Sequence, residues 1–148
     1  MNYLKNILLV DDDTDDQQFF IEALDKLENV TLSGLANNGK EALDKLIHSD
    51  RLPDFIFLDF NMPVMNGIEC LAELKRMPLI KDIPVFMLST AFEQCELSRK
   101  LGAKGFIKKS SDIVVLEREL RLLLEEGIAV NYIITEQANS ISSKALNA

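Results

Sequence analysis

The sequence predicts an α/β fold, a doubly wound parallel sheet of five strands with helices on both faces. Phe55 to Leu58 is an unbroken apolar run. Consecutive apolar side chains cannot alternate in and out of water, so this strand is covered on both faces, as in parallel sheets. The same pattern of apolar run and polar stop recurs at Ile7 to Val10 before Asp11-Asp12-Asp13, and at Val85 to Leu88 before Ser89-Thr90. Between these runs lie stretches of helical spacing with short connections, the alternation that builds a parallel sheet.

Each element has its own signals. After the first strand, Thr14 and Gln17 have capping-box spacing, and Phe20, Ala23, Leu24 and Leu27 follow at helical intervals. Val30 to Leu35 alternates loosely and reads as a partly covered second strand. Asn37-Asn38-Gly39 is turn chemistry, and Asn38 with Glu41 caps a helix carrying Ala42, Leu43, Leu46 and Ile47. The third strand drops onto Asp59; Pro63 keeps it from continuing, and Asn66 with Glu69 caps a helix built on Ile68, Leu71 and Leu74. A fourth helix is expected over about Phe92 to Leu101, stopped by Gly102. Gly105-Phe106-Ile107 is a brief fifth strand ending on Lys108-Lys109. Ser110 or Ser111 is expected to cap a last helix whose Leu116, Leu120, Leu123 and Leu124 face inward, with Gly127 at its end. The tail from Ile128 has an apolar part and a Ser/Asn/Ala-rich end that is expected to be mobile.

Composition excludes several classes. The 148 residues suffice for one domain with a core, and 47% hydrophobic against 27% charged is not a disordered chain. A net charge of −8 argues against a nucleic-acid partner, because phosphates reward surplus Lys and Arg. No apolar run approaches the ~18 residues of a membrane span, and the N-terminus lacks a leader pattern, so a cytoplasmic protein is expected. Cys70 and Cys95 have neither metal-site nor disulfide-framework spacing and read as small buried side chains. His48, the only histidine, lies near a helix end and reads as incidental.

The chemistry collects at the carboxyl ends of the strands, where open α/β sheets place their ligands. Asp11, Asp12 and Asp13 end the first strand, Asp59 the third, Ser89 and Thr90 the fourth, and Lys109 the fifth. Carboxylates brought together repel, and a divalent cation relieves the repulsion. An all-oxygen, solvated site suits Mg²⁺ with a phosphate oxygen. A lysine and a hydroxyl complete a clamp for phosphoryl oxygens. Asp59, alone in its strand, is placed to be the nucleophile of an aspartyl phosphate. Asp13 and Thr14 read as caps, Asp15 and Asp16 as first-turn acids favoured by the helix dipole, and Lys108 as a solvated neighbour.

The segments Ile7-Leu-Leu-Val-Asp-Asp12, Leu58-Asp-Phe-Asn-Met-Pro-Val-Met-Asn-Gly67, Pro84-Val-Phe-Met-Leu-Ser89 and Gly102-Ala-Lys-Gly-Phe-Ile-Lys-Lys109, in this order and spacing, closely resemble the receiver domain of two-component response regulators. The resemblance spans about residues 4 to 127. It implies a flavodoxin-like (CheY-like) sheet of order 2-1-3-4-5. It further implies a receiver domain over 1–127, a tail over 128–148, no output domain, and no enzymatic activity beyond the chain's own phosphorylation and dephosphorylation. Asp59 matches the phosphoacceptor, taking its phosphoryl group from a phosphohistidine of a sensor histidine kinase or a histidine phosphotransfer protein. Asp12, Asp59 and the backbone carbonyl of Asn61 match Mg²⁺ ligands, with Asp11 acting through water. Ser89 and Lys109 match the hydroxyl and lysine that bind the phosphoryl group, and Ser89 with Phe106 the switch. The output implied is a changed face of fourth helix, fifth strand and fifth helix, for an unidentified protein target or a phosphorelay, in a monomer or weak homodimer.

Three positions depart from the family pattern. Ser110 stands where proline usually follows the lysine, Thr90 replaces a small residue, and Ala91 stands where a longer side chain is common. With Ala91 small and Asn61 polar, the resemblance implies a phosphoryl lifetime short by family standards. Two other readings compete. Asp11-x-Asp13 superficially matches haloacid-dehalogenase-type phosphatases, but that reading leaves Asp59 without a role and lacks the later acidic pair. A pseudo-receiver, acting as an interaction module without phosphorylation, is the alternative, although such domains typically lose a site residue that is present here.

Overall fold

The computed structural model describes residues 4–90 and 95–126. Its elements run β1 (Lys5–Val10), α1 (Thr14–Leu24), β2 (Val30–Ala36), α2 (Gly39–Ile47), β3 (Phe55–Asp59), α3 (Gly67–Leu74), β4 (Val85–Ser89), α4 (Cys95–Lys100), β5 (Gly105–Lys108) and α5 (Ile113–Glu126). The strands form one parallel sheet in the order β2-β1-β3-β4-β5, the order the family resemblance implied. The chain reverses direction across the sheet between β1 and β3, which makes their carboxyl ends the topological switch point. Edge strand β2 carries a register shift, pairing Leu32 with Ile7 and then Gly34 with Leu8, so that Ser33 is the extra residue.

Strand alternation splits the core into two layers. Ile7, Leu9, Phe57, Phe86, Leu88 and Ile107 pack with Phe20, Ala23 and Leu24 of α1 and Leu116, Leu120, Leu123 and Leu124 of α5. Leu8, Val10, Ile56, Leu58, Val85, Met87 and Phe106 pack with Ala42 and Leu46 of α2, Cys70, Leu71 and Leu74 of α3, and Cys95 of α4. Both cysteines are buried thiols, as expected.

The helix starts bear out Asp13 as a cap and correct the cap assignments of Thr14 and of Ser110 or Ser111. Asp13, not Thr14, is the N-cap of α1: its carboxylate accepts from the amides of Asp15 and Asp16 at 2.9 and 3.0 Å, while Thr14 is already helical. Gln17 is buried rather than part of a capping box. At α5, Asp112 accepts from the Val114 amide at 2.9 Å, and Ser110 instead accepts from the Asp112 amide at 3.0 Å. Asn38 caps α2, and Asn66 with Glu69 forms the reciprocal box at α3, both as expected. Gly102 follows α4 at φ 107°, a conformation that glycine adopts without a Cβ clash. His48 sits exposed after α2 with Nδ1 2.8 Å from the Asp44 carbonyl. Among the described residues no helix is long and apolar enough to cross a membrane. The expected start of the fourth helix at Phe92, Ala91, Gly127 and the tail over 128–148 lie outside the described residues.

Candidate functional site

The buried runs deliver their terminal polar residues to one edge of the sheet. Asp11 and Asp59 are both buried, whereas Asp12 is exposed. One carboxylate oxygen from each of Asp11, Asp12 and Asp59 lies within 4.8 Å of the others. Asp13 and Asp16 flank them at the start of α1, and Asn61, Ser89 and Thr90 join Asp12, Asp59 and Lys109 around an open cleft of about 190 Å³.

Lys109 ties the site together. Its ammonium lies 3.1 Å from Asp11, 2.8 Å from Asp16 and 3.2 Å from Asp59. Its backbone amide donates to the Ser89 carbonyl at 2.7 Å, which fixes the β5 end against β4. The chain has no cis peptide among its described residues, so Ser110 follows the lysine in the trans form.

Burial sets the electrostatics. Burial pushes the Asp59 carboxyl up to about 6; Lys109 holds it back while Asp11 and Asp12 add to the rise. Asp11 is raised chiefly by burial, against the pull of the Asp13 amide and Lys109. For Lys109, burial alone favours the neutral amine, but the Asp16 hydrogen bond and the Asp59 and Asp11 charges outweigh it and raise the ammonium above its ordinary value. A small recess of about 30 Å³ borders Asp11, Asp16 and Lys109, and its walls include Phe19, Phe20, Leu88, Ile107 and Leu116.

The backbone holds the loop after β3 close. The Gly67 amide donates to the Phe60 carbonyl at 2.9 Å, and a Cβ at Gly67 would stand 2.2 Å from the Asp59 carbonyl oxygen. Only glycine lets α3 begin so near the strand that carries Asp59. Phe106 is buried and stacks on Phe60, with ring centroids 6.4 Å apart and planes at 10°. The residue next to Asp59 therefore touches the aromatic implied as the switch.

All the sequence-derived site residues among those described thus meet at one edge, with Phe106 one layer below. Two neighbours were missed. The sequence marks Asp16 only as a first-turn acid, yet at 2.8 Å it makes the shortest of the three carboxylate contacts to Lys109. Gln17 donates its amide to the Asp11 carbonyl at 2.5 Å and to Asn37 Oδ1 at 3.0 Å, steadying the β1 end. The position of Asp16 in the first turn of α1 was the available signal, since that turn starts where β1 stops. The donor set of carboxylate oxygens, two of them desolvated and crowded, fits a hard divalent cation.

Comparison with known proteins agrees with this arrangement. The sequence model of the response regulator receiver domain matches residues 7–121. The nitrate/nitrite response regulator protein NarL of Escherichia coli (strain K12) is 30% identical over 142 residues, covering 96% of this chain and 63% of its own length. The chain thus spans less than two thirds of that relative. The phosphorylated cyanobacterial phytochrome response regulator RcpA superposes with a TM-score of 0.71 at 30% identity, over 82% of this chain and 94% of that one. A chain of the CheX–CheY–BeF3–Mg²⁺ complex from Borrelia burgdorferi gives 0.70 at 30% identity, over 82% and 90%. Sheet order, strand-end acids and sequence match converge: this chain belongs to the response regulator receiver domain family.

Proposed function

We propose that the chain is a phosphorylation-controlled receiver. In this reading it takes a phosphoryl group onto Asp59 from the phosphohistidine of a sensor histidine kinase or histidine phosphotransfer protein, in a Mg²⁺-dependent reaction. The observation that carries the proposal is the convergence of Asp11, Asp12 and Asp59 within 4.8 Å, with Lys109 bonded to two of the three. Relatives described as phosphorylated, or as bound to BeF3 and Mg²⁺, support it.

Asp12, Asp59 and the backbone carbonyl of Asn61 would hold Mg²⁺, with Asp11 acting through water. Bound there, the ion offsets the carboxylate charges and the charge on the phosphoryl oxygens. The remaining work falls to the chain. At neutral pH, above its value of about 6, Asp59 is ionised. A carboxylate oxygen forms the new P–O bond as the donor's P–N bond breaks, and the electron pair leaves with the imidazole. Lys109 and the Ser89 hydroxyl bind phosphoryl oxygens. Ser89 ends β4 on the layer that holds Phe106, so movement of its side chain toward the phosphoryl group alters the packing beside that ring. Two packings of α4, β5 and α5 then differ in population, and a target protein or a phosphorelay partner reads the difference. On this reading the protein works in the cytoplasm, as a monomer or weak homodimer, and the receiver catalyses only its own phosphorylation and dephosphorylation.

The test is incubation with acetyl phosphate, with and without Mg²⁺, read by intact mass. The expected result is one added phosphoryl group, dependent on Mg²⁺ and lost in Asp59→Asn. No gain in a folded protein would instead favour an interaction module that works without phosphorylation.

A further inference from the structure

We infer that Asp16 is a positioning residue that competes with the incoming phosphoryl group for the Lys109 ammonium. The inference rests on the receiver reading above and extends it to a carboxylate that reading leaves without a role. A lysine ammonium has three hydrogens and accepts none. Here three carboxylates surround it, at 2.8 Å for Asp16, 3.1 Å for Asp11 and 3.2 Å for Asp59. A phosphoryl oxygen that needs one of those hydrogens must displace a carboxylate.

The surroundings decide which one yields. The Asp11 side chain is 2% exposed, so losing Lys109 would strand a buried charge. Asp59 is the carboxyl that bears the phosphoryl group. The Asp16 side chain is 44% exposed, and water replaces its partner at little cost. Asp16 therefore holds Lys109 toward α1 while Asp59 is unmodified, and releases it when the phosphoryl group arrives. The Asp16 backbone amide donates to the Asp13 carboxylate, a bond that side-chain substitution leaves in place, so the α1 cap survives in the variants.

The phosphoryl mimic beryllofluoride, titrated in Mg²⁺ by calorimetry, measures this competition without covalent chemistry. Asp16→Asn and Asp16→Ala should bind it roughly two- to fivefold more tightly than the wild type, and Asp16→Glu should restore the wild-type value. In a Lys109→Gln background, Asp16→Asn should change the affinity little. Unchanged or weaker binding in both Asp16→Asn and Asp16→Ala, with a wild type that does bind, overturns the inference alone. So does a gain that persists without Lys109, because it would be plain charge repulsion. A wild type that takes up no beryllofluoride overturns the receiver reading and this inference with it.

Discussion

The two faces of the sheet are built from different materials. On the α1/α5 side, Phe57 lies between Phe20 and Phe86, with centroids 5.1 and 5.6 Å away. Leucines of α5 close the layer. On the α2/α3/α4 side leucines, isoleucines and valines such as Leu58, Leu71, Ile56 and Val85 share the filling with Met87, Cys70, Cys95, Ala42, Ala36 and Ala103, with Met62, Met65 and Met77 at the margin and Phe60 stacked on Phe106. Stiff interlocking rings resist rearrangement, whereas unbranched methionines and small side chains repack at low cost.

Strand alternation divides the proposed site residues between the two faces. Continuing Ile7 and Leu9 by two residues places Asp11 on the aromatic side; Phe57 leads in the same way to Asp59, and Ile107 to Lys109. Phe106, Phe60 and the position of Ser89 fall on the adaptable side. Asp59 and Phe60 are neighbours in sequence that point to opposite layers. The stiff face thus carries Asp11, Asp59 and Lys109, while Ser89 and the proposed switch Phe106 belong to the other.

The largest expected effect tests the stiffness of the aromatic side. Phe57→Ala should cost roughly 3–5 kcal/mol in urea unfolding. Phe106→Ala, in the layer whose Met87 and marginal methionines can close on the vacated space, should cost less, keep Asp59 phosphorylation largely intact and weaken the response. Equal costs would break the contrast between the faces, and loss of phosphorylation in Phe106→Ala would remove the separation of chemistry from switch.

A second test sharpens the contrast at the end of the rigid face. The folded-state pKa of Asp59, about 6, lies above its ordinary value. The ionised group therefore destabilises the metal-free fold above pH 6, and the cost fades as pH falls through 6 toward 4, because the folded state takes up its proton first. Asp59→Asn should stabilise the metal-free protein at pH 7.5 by roughly 1–2 kcal/mol, with the gain shrinking below pH 6. Thermal unfolding across pH checks this; a variant less stable at pH 7.5 would mean that the Lys109 ion pair outweighs burial.

The smallest effect lies in the loop after β3. Val64 has φ 68° and is 76% exposed, with the Met65 amide donating to the Pro63 carbonyl at 2.7 Å across it. A β-branched residue is strained in this γ-turn. Val64→Asn should add roughly 0.5–1 kcal/mol of stability without altering phosphorylation, since the strain lies outside both packed layers.

Much of this was legible in the sequence. Apolar runs that stop abruptly on Asp, Ser or Lys mark covered strands ending at a polar edge, and they placed Asp11, Asp59, Ser89 and Lys109 together. Helix caps were less legible where Asp13 precedes Thr14, or Asp112 follows two serines. Each of those residue types can cap, and the backbone's point of entry decides between them. Asp16 was misread because the helix dipole already accounts for an acid in a first turn. Its bond to Lys109 joins residues 93 positions apart and depends on where the β5 end meets α1. The two-sided core was implicit in the alternation, but the ring contacts that stiffen one side required the packed structure.

The most direct measurement is chemical trapping of the acyl phosphate. The protein is incubated with acetyl phosphate and Mg²⁺, reduced with borohydride, digested and sequenced by mass spectrometry. The account predicts homoserine at position 59 and nowhere else. Homoserine at position 11, 12 or 16, with position 59 unmodified, would contradict it.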